Sequence, residues 1–116
     1  MSGSVTLYGI KNCDTMKKAR DWLDAKGVAY QFHDYKVAGI DRERLTAWVD
    51  ALGWEPVLNR AGTTFKKLPE EAKQGLDRDK AIALMLEQPS MIKRPMLDRA
   101  GTLTVGFKPE IYATLF

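Results

Sequence analysis

The stretch Val5-Thr6-Leu7-Tyr8-Gly9-Ile10-Lys11-Asn12-Cys13-Asp14-Thr15-Met16-Lys17-Lys18-Ala19-Arg20-Asp21-Trp22-Leu23 decides how the chain is read. Its first six residues are apolar and β-branched enough to form a buried strand, and the run from Asp14 to Leu23 has the composition of a helix. Only Lys11-Asn12 separates strand from Cys13. The cysteine is therefore placed at a helix start, where unpaired backbone N–H groups and the positive end of the helix dipole favour thiolate over thiol. Lys11, Lys17 and Lys18 add positive charge within about a turn; Asp14 opposes them, and the net shift of the thiol is expected to be downward. A lone cysteine is most often a buried, inert one. Its place between strand and helix turns that expectation around.

Working outward, Gly27 ends the helix, and Val28 to Tyr35 reads as a second strand. A strand–helix–strand unit of this length implies a right-handed crossover and a parallel pair. Asp41 caps a helix predicted over Arg42 to Leu52, stopped by Gly53. Glu55 to Gly62 reads as extended chain and turn, Leu68 to Lys73 as a short helix opened by Pro69, and Phe65 to Glu71 as a solvated charged turn. Asp77 caps a further helix over Arg78 to Glu87, which Pro89 stops. Ile92 to Leu97 reads as a strand, Asp98 to Gly101 as a turn and Thr102 to Val105 as the returning strand of an antiparallel hairpin. A last helix runs from Pro109 to Leu115. The order βαβ, helices, ββα predicts an α/β protein: a single thioredoxin-like domain over 1–116, with a mixed sheet and an inserted helical segment.

The 116 residues, 45% hydrophobic and 28% charged, suit one globular domain. No apolar run approaches the roughly 20 residues that cross a bilayer, so no membrane association is expected. Met1-Ser2-Gly3-Ser4 has neither the charged nor the apolar part of a signal peptide, and one cysteine cannot form an internal disulfide. Both point to a cytoplasmic protein. The net charge of +3 is too small to argue for direct nucleic-acid binding and fits anionic small molecules and thiols such as glutathione. With a single histidine, His33, and a single cysteine, no zinc site is expected. His33 is expected at a sheet edge and the tryptophans in the core.

Two arginines complete the candidate site. Arg94 precedes Pro95, and an X–Pro step at a strand entry holds the preceding residue extended and can be cis. A cis bond there would turn Arg94 toward the loop that carries Cys13. Arg60 sits in the irregular segment between Asn59 and Gly62 and would join them if the inserted helices fold over that loop. Two guanidiniums beside a thiolate would stabilise it and hold an oxyanion or carboxylate through forked hydrogen bonds.

In Tyr8 to Ala19, Leu58-Asn59-Arg60, Met91 to Met96 and Val105-Gly106-Phe107 the chain resembles the arsenate reductase (ArsC) family, specifically its small YffB/Spx-like branch. The resemblance implies Cys13 as nucleophile, Arg60 and Arg94 as holders of the anion or thiol adduct, Asn12 and Pro95 as structural neighbours of the site, and no metal. It also implies glutathione as cosubstrate and glutaredoxin as a partner; no bound cofactor and a monomer are expected. Two departures redirect it. The arsenate reductases carry a third anion-binding arginine after the Arg-Pro step, whereas Leu103 to Phe107 contains none. The redox-switching Spx regulators carry a Cys-x-x-Cys pair, whereas Met16 stands at the second position. The leading expectation is a glutathione-dependent thiol oxidoreductase with an external resolving thiol. An arsenate reductase using glutathione and glutaredoxin, and a non-catalytic Spx-like transcriptional regulator that binds RNA polymerase, are the alternatives.

Overall fold

The structure, a computed structural model, describes residues 4–11 and 13–116. Asn12, expected beside the site, lies outside the described residues. The chain divides into two compact units, a sheet unit of residues up to 38 and from 94 onward, and a helical unit of residues 39–93.

In the sheet unit, β1 (Val5–Gly9) leads into α1 (Asp14–Ala25), β2 (Gln31–Asp34) and a single turn of helix, α2 (Tyr35–Ala38). The chain returns as β3 (Met96–Arg99) and β4 (Thr102–Val105) and ends in α8 (Pro109–Leu115). The sheet order is β2-β1-β3-β4. β1 and β2 run parallel, with Tyr8 opposite His33, while β1–β3 and β3–β4 are antiparallel. This is the thioredoxin-like mixed sheet expected from the sequence. His33 lies on the edge strand, as expected, with its ring 5.2 Å from that of Tyr8. Leu7, Met16, Ala19, Leu23, Leu97 and Tyr112 form the core of the unit. Burying such side chains stabilises by about 1.5–3 kcal/mol each, so β1 and the inner face of α1 are locked together.

The β3–β4 hairpin closes through Ala100 and Gly101, at φ of 51° and 94°. Two successive left-handed residues match the right-handed twist of the strands. Asp98 Oδ1 accepts the Gly101 N–H at 2.8 Å and anchors this turn.

The helical unit holds α3 (Arg42–Leu52), α4 (Trp54–Val57), α5 (Thr63–Lys66), α6 (Glu70–Lys73) and α7 (Arg78–Glu87), followed by a 3-10 turn at Pro89–Met91. The Asp41 and Asp77 side chains cap α3 and α7, accepting from Arg44 and Lys80 N–H at 2.7 and 2.8 Å. Leu45, Trp48, Val49, Ile82 and Met85 are buried where these helices pack.

Five readings change. Glu55 to Val57 is helical because Pro56 falls in the first turn of α4, where a missing N–H is harmless. Thr63 to Lys66 is a helical turn with Phe65 buried, not part of a solvated loop. The third strand starts at Met96 because Pro95 offers no ladder N–H; Ile92 forms an isolated bridge with Leu58 instead. The second strand stops at Asp34, and Tyr35 opens a helix. Of the tryptophans, only Trp48 is fully in the core; Trp22 and Trp54 are half-buried.

Candidate active site

Cys13 is the N-cap residue of α1, with extended backbone at φ −128° and ψ 131°, and its carbonyl accepts the Lys17 N–H at 3.0 Å. The thiol is half-buried. Its sulfur makes no conventional capping hydrogen bond; it faces the N–H groups of Met16 and Thr15 and is hydrogen-bonded by the Arg94 guanidinium. Partial burial pushes the thiol up, but the Met16 N–H, the Arg94 hydrogen bond, the Thr15 N–H and the charge of Arg94 outweigh it and hold the pKa below its ordinary value.

Local packing sets this geometry. Met16 is fully buried under Gly9, where a Cβ would overlap its sulfur. The first turn of α1 therefore lies close on β1 only because residue 9 lacks a side chain. Lys11, two residues before Cys13, is held by Asp34, whose Oδ2 accepts its N–H at 3.1 Å while Oδ1 accepts from Lys36 and Val37 at 2.9 and 3.3 Å. Just before β3, the Arg94-Pro95 peptide is cis, and the Pro95 carbonyl accepts the Gly106 N–H at 2.8 Å. Arg94 also hydrogen-bonds Tyr35, which is 0% exposed.

The structure thus brings Cys13 and Arg94 together, with Pro95 buried next to the arginine. Arg60 belongs to the helical unit, where its guanidinium lies 3.8 Å from Glu55 and 5.7 Å from the Trp54 ring centroid. Asp34 and Tyr35 were not anticipated from the sequence. An aspartate followed by a short run that can begin a helix is a capping signal; reading Val28 to Tyr35 as one strand hid it.

Cys13 opens on a groove of about 470 Å³ along the outer face of α1. Lys11, Lys17 and Arg20 line it together with Asp14, Asp21 and Asp24. The mixture suits a zwitterion better than a simple anion.

A profile of the ArsC family matches residues 8–115. The chain belongs to the ArsC family. A solved YFFB protein is 64% identical, with a TM-score of 0.93 over 96% of this chain and 97% of its own. An arsenate reductase (ArsC) related protein from Brucella melitensis is 58% identical, with a TM-score of 0.80 over 96% of this chain and 92% of its own. An uncharacterized protein of Haemophilus influenzae is 39% identical over 97% of this chain and 98% of its own length. The global transcriptional regulator Spx of Streptococcus mutans is 26% identical over 91% of this chain and 78% of its own. Among the described residues, no helix is long and apolar enough to cross a membrane.

Proposed function

We propose that this ArsC-family protein is a glutathione-dependent thiol reductase acting through Cys13 alone. The supporting observation is the Cys13 sulfur at the start of α1, with the Arg94 guanidinium hydrogen-bonded to it and the pKa lowered. In the first step the Cys13 thiolate attacks a disulfide or glutathionylated substrate, the old S–S bond breaks, and the released thiolate takes a proton from water. Cys13 then carries a mixed disulfide. With a glutathionylated substrate the mixed disulfide joins Cys13 to glutathione; one glutathione thiolate attacks its glutathione sulfur, oxidised glutathione leaves, and Cys13 returns as a thiolate. With any other disulfide a first glutathione thiolate attacks the Cys13 sulfur and displaces the second substrate thiolate. A second glutathione then removes the glutathionyl group in the same way, and the two glutathione molecules supply the two electrons. Met16 takes the place of a second cysteine, so the resolving thiol comes from outside, with glutaredoxin a further reductant. Glutathione carries one ammonium and two carboxylates, which match the mixed charges of the groove. Arg60 is assigned the holding of a carboxylate or oxyanion by resemblance to the family.

Incubation with oxidised glutathione followed by intact-mass measurement tests the reading. One glutathione adduct is expected on the wild type and none on Cys13→Ser; an adduct on neither, or on both, sinks it. An arsenate reductase would instead oxidise glutathione in an arsenate-dependent way. The similarity to Spx supports a second reading, regulation by binding RNA polymerase. In that case Cys13→Ser would retain polymerase from lysate as well as the wild type does.

A further inference from the structure

Arg94 is held from two sides. It donates to the Cys13 sulfur and to the Tyr35 hydroxyl oxygen. Tyr35 has little freedom to move. Its ring is 0% exposed, and its backbone follows Asp34, whose carboxylate ties together the N–H groups of Lys11, Lys36 and Val37. One short corner, Asp34-Tyr35, therefore reaches both sides of the site: Asp34 holds Lys11, two residues before Cys13, and Tyr35 the guanidinium opposite the sulfur.

The chemistry of the acceptor matters as much as its position. Burial pushes the Tyr35 phenol well above its ordinary range, against the lowering effect of Arg94, so it stays neutral wherever the protein works. A carboxylate in its place would also orient Arg94, but it would pair with the positive charge and compete with the thiolate for it. A neutral hydroxyl orients the guanidinium and leaves that charge directed at sulfur.

We propose that Tyr35 is the positioning residue of the Cys13–Arg94 pair, its hydroxyl fixing the guanidinium against the thiolate as Cys13 attacks and again as it leaves the mixed disulfide. The proposal rests on Cys13 being the nucleophile. It assigns Tyr35 no contact with substrate and no proton to transfer.

The experiment follows iodoacetamide alkylation against pH in the wild type, Tyr35→Phe, Arg94→Ala and the double variant, with a thermal melt of each. Tyr35→Phe is expected to move the profile to higher pH and to slow alkylation near pH 6 about 3- to 10-fold, the worth of one hydrogen bond. On the Arg94→Ala background it is expected to add nothing, because its effect passes through the arginine. An unchanged profile in Tyr35→Phe, or an equal further slowing on the Arg94→Ala background, overturns the proposal and leaves the nucleophile reading standing. A wild-type thiol that titrates at the ordinary value overturns the nucleophile reading itself. If Tyr35→Phe does not fold, nuclear magnetic resonance of the wild type decides. Slowly exchanging Arg94 guanidinium protons with a cross-peak to the Tyr35 ring are expected; fast-exchanging protons without one overturn the proposal.

Discussion

The sheet unit and the helical unit each carry one of the two arginines singled out from the sequence, and the two side chains live in different surroundings. Arg94 is half-buried and hydrogen-bonds both the Cys13 sulfur, whose pKa it lowers, and a phenol that burial keeps neutral. The Arg60 side chain is 49% exposed and lies near Glu55, itself 65% exposed, and over the Trp54 ring. Part of its charge is already answered locally, in a solvent-exposed pair of little energetic worth. In the sheet unit close packing aims a cation at one atom; in the helical unit a long, solvated side chain keeps the freedom to move.

The largest expected difference lies in the thiol itself. Arg94→Ala removes both a hydrogen bond and a positive charge and should slow alkylation near pH 6 by about tenfold or more. Arg60→Ala should change that profile much less and cost under about 0.5 kcal/mol in a denaturant melt. Equal effects would erase the contrast. The folded Cys13 pKa lies below its unfolded value, so the stability it contributes is complete above the ordinary thiol pKa. That stability is lost as pH falls through the folded value. Arg94→Ala should narrow this window from its acid side.

Glycines sharpen the comparison at a smaller scale. Gly9→Ala would drive a methyl group into the buried Met16 side chain and should cost about 1–3 kcal/mol. It should also raise the thiol pKa, because the Met16 N–H that faces the sulfur moves with the helix. Gly62→Ala in the helical unit meets the Asn59 side chain, its Nδ2 at 2.8 Å and Cγ at 3.3 Å, with the Asn59 carbonyl oxygen in ordinary contact at 3.6 Å. The side chain can swing aside, and a cost under about 1 kcal/mol is expected. A larger loss at Gly62 would show the helical unit to be the more tightly packed.

At Tyr112 a gain in stability rather than a loss is expected. Its hydroxyl is buried with no hydrogen-bond partner among the described residues, and its ring packs edge-on against those of Trp22 and Phe107, with centroids 5.6 and 4.8 Å away. Tyr112→Phe should raise stability by about 1 kcal/mol, since an unsatisfied buried hydroxyl is costly. A loss of stability in the melt would mean that the hydroxyl is satisfied in solution.

Elements with a strong local signal were legible. The apolar run of β1, the aspartate caps at Asp41 and Asp77, and the two-residue hairpin turn all depend on residues close in sequence. The single-turn helices α2, α4, α5 and α6 were missed or only partly placed, because four residues are too few to show a period of 3.6. For the same reason the β2 corner was read as strand, and Tyr35 with it.

By itself the sequence determined the mixed α/β sheet class, the family and the place of Cys13 at a helix start, because each is carried by short-range pattern or by a motif. Only the tertiary structure decided which groups surround the sulfur. Arg94, Tyr35 and Asp34 reach the site from β3 and the end of β2, strands that lie on either side of β1. Their convergence depends on a neutral, buried phenol and on a methionine packed against a glycine. Burial and close approach of this kind are set by the packed core, and no local periodicity records them.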